Sequence, residues 1–156
     1  MTNSKAFVLE TMRKWGLTAA EALQKKSAEL TGTQLNAEKL YIPAFKAACA
    51  HQNMKDRSAG FICKSSAGRV VRLQQPYNSS VYTDEPEKLP AQWGFVWSKD
   101  PRHALPFVAI STSPYMMGDC CIDPADGLTY RSKVDNNVHA PSAWKDGWEV
   151  VTDGIA

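Results

Sequence analysis

The sequence predicts an α+β chain: short N-terminal helices followed by two small, mostly antiparallel three-stranded β units in tandem. Two observations carry this prediction. The first is an internal repeat, in which Gly60, Cys63, Gly68, Arg72 and Trp93 recur in the same order as Gly118, Cys121, Gly127, Arg131 and Trp148, with Phe95 answered by Val150. Ordered recurrence of glycine, basic and tryptophan positions over about fifty residues marks a supersecondary unit used twice. The second is a change of spacing at Pro43, from apolar positions three and four apart to short extended runs. With 44% apolar and 22% charged residues, the chain has the composition of a folded protein rather than a disordered one.

Taken in order, Ala6, Phe7, Leu9, Met12 and Trp15 form an apolar stripe at helical spacing, and Gly16 is expected to end it. Thr18 with Glu21 reads as a capping box opening a second helix that carries Ala19, Ala22, Leu23, Ala28 and Leu30. A third short helix is expected over 33–40, stopped by Pro43. Helices this short bury little alone, so they must pack on the β units or on other copies of the chain. Phe7, Leu9, Met12, Trp15, Leu23 and Leu30 are more apolar surface than two short helices can cover, which predicts a homo-oligomer formed through the N-terminal helices.

Strands are expected over 60–64 and 69–73, joined by the turn Ser65-Ser66-Ala67-Gly68, and over 119–122 and 128–132, joined by a turn from Asp123 to Gly127. A third strand follows each long loop, at 93–97 and 148–151. The proline-, Asn- and Asp-containing loops 74–92 and 133–147 form the exposed side of each unit, and 98–102 reads as a turn or linker. The expected division is a helical segment 1–42, a first β module 43–98 and a second 104–156.

Several function classes are not expected. A formal charge of +2, from 18 Lys and Arg spread among 16 Asp and Glu, gives no basic face for nucleic acid. Residues 1–14 lack the apolar core of a signal peptide, and no segment approaches the ~20 apolar residues of a membrane span. The chain is therefore expected in the cytoplasm of the cell that makes it. There Cys49, Cys63, Cys120 and Cys121 are read as thiols buried as small hydrophobes. No Cys-x-x-Cys pair points to a metal, and no glycine loop points to a nucleotide cofactor. His51, His103 and His139 stand far apart without a nucleophile beside them, so no catalytic residue is assigned and no enzyme is expected. Asp123 and Asp126 flank Pro124 in a turn, where aspartate serves its own backbone.

The second copy reads Tyr115-Met116-Met117-Gly118-Asp119, Gly127-Leu128-Thr129-Tyr130-Arg131-Ser132, Pro141 and Gly147-Trp148-Glu149-Val150. These motifs resemble the small chitin-binding modules of bacterial chitinases, and still more the related domains in tail and lysis-region proteins of phages and prophages. The likeness covers about forty residues of the second copy. In the first it is carried by the hairpin and by Pro90-Ala91-Gln92-Trp93. It implies a non-catalytic protein that holds a bacterial-surface glycan, of chitin or peptidoglycan type, by stacking exposed aromatic rings on the apolar faces of sugars. Tyr82, Tyr115, His139 and Trp144 are the expected glycan-binding residues. His139 stands where such modules often carry tryptophan, with Trp144 in the same loop as the substitute platform. Trp93 and Trp148 fall at positions expected in the core. A protein of this kind would be virion-associated after assembly. The alternative is a protein-contact module, either a tail or baseplate component or a phage inhibitor of a host defence protein.

Overall fold

In the computed structural model of the chain the described residues are Lys14, Gly16 and 18–152. The predicted stripe of Ala6, Phe7, Leu9, Met12 and Trp15 lies outside them. The chain is α+β, with short helices leading into a three-stranded antiparallel sheet and a four-stranded mixed sheet. Helix α1 covers 18–26, and Lys14 and Gly16 are helical as well. Gly16 therefore does not end a helix, and Thr18 does not begin one. Its hydroxyl donates to the Lys14 carbonyl at 2.9 Å, the back-bond of a threonine inside a helix.

The capping box sits instead at α2 (Gly32–Ala37). There the Gln34 N–H donates to the Thr31 hydroxyl and the Thr31 N–H donates to Gln34 Oε1. Helix α3 (Phe45–His51) falls where extended chain was expected. It opens just after Pro43, and it is held by burial of Phe45 and Ala48, three apart on one face.

The first sheet is β1 (Ile62–Lys64), β2 (Val70–Leu73) and β3 (Trp93–Phe95) in that order. Successive residues serve opposite faces. Cys63, Val71, Leu73, Trp93 and Phe95 pack with Phe45, Ala48 and Met54. On the other face Ile62 and Val70 meet Leu23, Leu35 and Ile42 from the helical segment. The Gln24 amide completes this arrangement by pairing with the backbone of Ile62 in both directions, at 2.7 and 3.0 Å, which closes the free edge of β1.

The second sheet repeats the first rung by rung. Ile62 opposes Arg72 and Cys63 opposes Val71, as Cys120 opposes Arg131 and Cys121 opposes Tyr130 between β5 (Cys120–Ile122) and β6 (Thr129–Ser132). Leu73 pairs with Trp93 as Ser132 pairs with Trp148 of β7 (Trp148–Val150). The paired glycines share left-handed backbone, with φ of 101° and 95° at Gly60 and Gly118 and of 86° and 72° at Gly68 and Gly127. Only glycine adopts these values without strain.

One correction concerns strand number. The second unit has four strands, because β4 (Leu105–Pro106) adds in parallel to β5. The first unit carries the rudiment of the same feature, a parallel bridge between Ala44 and Lys64. Phe45 and Phe107, each directly after this contact, meet the core tryptophans Trp93 and Trp148 edge to face, at 5.8 and 6.2 Å. The repeat is thus longer than its legible motifs.

The units share a core. Val108 and Ile110, beyond the 98–102 turn, pack into the first cluster, while Trp97 from the first unit packs against both clusters. A run of stacked rings crosses the junction: Phe95 on Trp97 at 5.6 Å, Trp97 on Tyr115 at 4.3 Å, Tyr115 on Phe107 at 5.3 Å. Buried Arg69 adds a polar tie, with Nη1 3.2 Å from Glu87 and Nη2 donating to the Pro106 carbonyl at 2.7 Å.

Candidate functional site

The loop between β6 and β7 is built on buried Asn137. Its backbone exchanges two hydrogen bonds with Tyr115, at 2.8 and 2.9 Å. Its Nδ2 donates to Ser132 Oγ and to the Gly147 carbonyl, and its Oδ1 accepts from the His139 N–H. The Trp148 indole N–H donates to the His139 carbonyl at 2.7 Å. His139 is therefore fixed through its backbone on both sides, which leaves its exposed imidazole free to face outward.

Trp144 meets that imidazole edge to face, with ring centroids 5.8 Å apart and planes at 82°. The indole also lies directly over Gly147, where any side chain would collide with it. Trp144 keeps 38% of its surface exposed. Together with Val134, Asp135, Asn136 and Ala143 the two rings line an open cleft of about 480 Å³. Such a cleft joins one flat apolar face to a carboxylate and an amide, the pairing that suits a ring with hydroxyls around its edge. Asn136 takes a left-handed backbone (φ 56°), a conformation that asparagine tolerates better than most residues.

The supporting turns are tied down by Asp123, which is 1% exposed. Its Oδ1 accepts from the Ala125 N–H at 2.8 Å, and its Oδ2 accepts from the Ser142 N–H at 2.7 Å, linking the β5–β6 hairpin to the turn before Trp144. Asp126 Oδ1 accepts from the Leu128 N–H in the same way. Both aspartates serve the backbone, as expected of that turn. Burial pushes the Asp123 carboxyl up, but the Ala125 and Ser142 donors outweigh it and hold the group below the usual carboxylate value.

A depressed folded-state value means that the group's contribution is complete above the unfolded value of about 3.9 and is lost as pH falls through the folded one. Wild type is therefore expected to lose stability more steeply below about pH 4 than Asp123→Asn, whose side chain does not titrate. Urea midpoints measured from pH 7 to 3 check this. Parallel slopes would remove Asp123 from the account.

The four expected glycan residues fare differently. His139 and Trp144 come together, as described. Tyr82 is 60% exposed but belongs to the first unit, on a loop where its N–H donates to the Asn78 carbonyl. None of the residues lining the cleft comes from that unit. Tyr115 is corrected outright: it is 1% exposed, stacked between Trp97 and Phe107, and offers no face to a ligand. Trp93 and Trp148, at 0% and 4%, are core, as expected. Asp135 and Asn136 join the site unannounced, and their only sequence signal was the Asp-Asn-Asn run at 135–137 in a loop already read as exposed. Gly147, read in the sequence only as part of the closing tryptophan motif, joins them as the seat of the Trp144 ring.

Among the described residues no three His, Cys, Asp or Glu side chains come together as a metal centre requires. No helix among them is long and apolar enough to cross a membrane. Cys63, Cys120 and Cys121 are buried free thiols and Cys49 is half-buried; burial raises all four above the usual thiol value. No family model matches the chain, and no curated protein or solved structure is significantly similar to it.

Proposed function

We propose that the protein is a non-catalytic glycan-binding protein of phage or prophage origin, and that its second β unit holds a chitin- or peptidoglycan-like sugar in the cleft between His139 and Trp144. The observation that carries this reading is the exposed Trp144 ring, seated on Gly147 and braced by a backbone-anchored His139. A preorganised platform binds without the entropic cost of ordering its own loop. Asp135 and Asn136 supply acceptors and a donor at its edge. One shallow site of this kind binds in the millimolar range, roughly −4 kcal/mol.

Retention on insoluble chitin and on peptidoglycan tests the reading. Trp144→Ala is expected to weaken retention about tenfold, since stacking is worth on the order of 1 kcal/mol beyond the area it buries. Its melting temperature should stay at the wild-type value. Gly147→Ala, which displaces the ring without removing it, should weaken retention in the same direction. Tyr82→Ala reports whether the first unit adds a second contact. No retention of the wild type on either polysaccharide would end the glycan reading.

A second reading, contact with a tail protein or a host protein, is favoured by a different observation. Met116 and Met117 are 39% and 58% exposed. The Met117 N–H donates to Asp135 Oδ1, and the Asn136 N–H lies 3.5 Å from Met116 Sδ. Exposed methionines next to the loop that carries the cleft suit an adaptable apolar protein contact. Loss of partner capture in Met117→Ala, with sugar retention intact, separates the two.

A further inference from the structure

A second concavity, of about 640 Å³, lies away from the sugar cleft, between α1 and α3. Gly16, Ala20 and Gln24 form one wall, at the four-residue spacing of a single helical stripe, and Leu40, Ile42 and Ala47 form the other. The walls are low at Gly16, Ala20 and Ala47, whose side chains are small. Among the described residues, nothing lies within 4 Å of the place a side chain on Gly16 would occupy. Leu40 is 91% exposed on the rim, a large apolar side chain with nothing over it among the described residues. One end is closed rigidly, where the Arg57 guanidinium lies 4.1 Å over the Phe61 ring and donates to the Ala48 carbonyl.

The chain itself carries a segment of matching chemistry shortly before α1 in the sequence. Residues 1–13 lie outside the described residues, and the last described residues before α1, Lys14 and Gly16, are at the groove's edge or upstream of it. In that segment Phe7, Leu9 and Met12 are apolar, and Leu9 and Met12 stand at the three-residue interval at which groove recognition reads its anchors. Two facts argue against the same chain filling its own groove. Lys14 and Gly16 are already helical, and no glycine or proline occurs from residue 1 to 15 to turn the segment back.

We propose that the groove between α1 and α3 is the docking site for residues 4–12 of a second copy of this chain. Exchange of the segment between copies is reciprocal, so it closes into a symmetric oligomer that covers Leu40 and the low walls. Each added copy brings another sugar cleft. Association of weak sites raises avidity by about 10² to 10⁴ where the geometry allows simultaneous engagement, but the proposal itself rests on the groove and not on the sugar reading.

Sedimentation of the full chain and of two variants tests it. Wild type is expected above the monomer mass. Ala47→Glu, which charges an exposed groove position, and Leu9→Glu, which charges an anchor, should each sediment as monomers while keeping the wild-type circular dichroism. Should Ala47→Glu misfold, Leu40→Glu on the same rim replaces it. Mixing the two monomeric variants is expected to restore association, because an intact segment of one meets an intact groove of the other. A monomeric wild type overturns the proposal. So does an Ala47→Glu protein that stays oligomeric, which would mean that segments pair with segments. An oligomeric Leu9→Glu protein would mean grooves pairing with grooves and overturns it as well, as does a mixture that stays monomeric at the highest concentration reached.

Discussion

Trp148→Ala is expected to cost about 3–5 kcal/mol of stability, the range for removing a buried large aromatic side chain. The residue is 4% exposed, meets Phe107 and Tyr115 edge to face at 6.2 and 5.5 Å, and spends its indole N–H on the His139 carbonyl. Its loss opens a cavity in the smaller of the two β cores and leaves a loop carbonyl without its donor. Urea unfolding should show the full drop in midpoint, against an unchanged midpoint for Trp144→Ala. The contrast matters because both are tryptophans of the same loop-and-strand stretch and only one is a platform. A Trp148→Ala midpoint equal to wild type would mean that the second unit does not depend on this core.

Trp148→Phe refines the point. It keeps most of the packing and removes the N–H, so its stability cost should be smaller, about 0.5–1.5 kcal/mol for the hydrogen bond together with the volume lost. It also frees the His139 backbone, so sugar retention should fall by more than the stability change alone predicts. Core and site are thus joined by one hydrogen bond.

The parts of this fold that could be read in the sequence are those fixed by local chemistry. Turn glycines mark left-handed backbone, and the order Gly, Cys, Gly, Arg, Trp fixes the rungs, so the pairing of Cys63 with Val71 and of Cys121 with Tyr130 follows from the repeat. The parts that were not legible depend on distant partners. β4 is two residues long and contains a proline, and it exists only because β5 presents an edge to it. Helix α3 is held by Trp93 and its neighbours, not by a cap, since Ala44 offers no side-chain hydrogen bond. Thr18 and Thr31 look alike in sequence, and the one whose helix was already under way bonded backward instead of forward. The two sheets also differ in their surroundings, with Leu23, Leu35 and Ile42 of the helical segment packed on the first. Arg72 donates to the Ser27 carbonyl under the helices, whereas its counterpart Arg131 faces Glu149 at 3.9 Å on an open face. The repeat conserves the rungs and not the surroundings.

Tyr115 shows the same limit most sharply, and it carries the other large expected effect. An aromatic residue before a Gly-Asp strand reads as a sugar platform. Here the backbone bridge to Asn137 turns it inward, between Trp97 at 4.3 Å and Phe107 at 5.3 Å, with its hydroxyl accepting from the Val108 N–H. Burial pushes its phenol well above the usual tyrosine value. Tyr115→Ala should therefore cost about 3–5 kcal/mol, and Tyr115→Phe, which keeps the stack, about 1 kcal/mol. Because Trp97 packs against both clusters, the loss should lower one transition common to the whole chain. Hydrogen exchange at Cys63 and at Cys121, one strand in each unit, checks this: both amides should lose protection equally in Tyr115→Ala. Undiminished protection at Cys63 would mean that the first unit stands without the second, and the shared aromatic core would then be a contact between independent domains. Sugar retention by the folded fraction should be unchanged in Tyr115→Phe, since this ring supports the cleft from within and takes no part in binding.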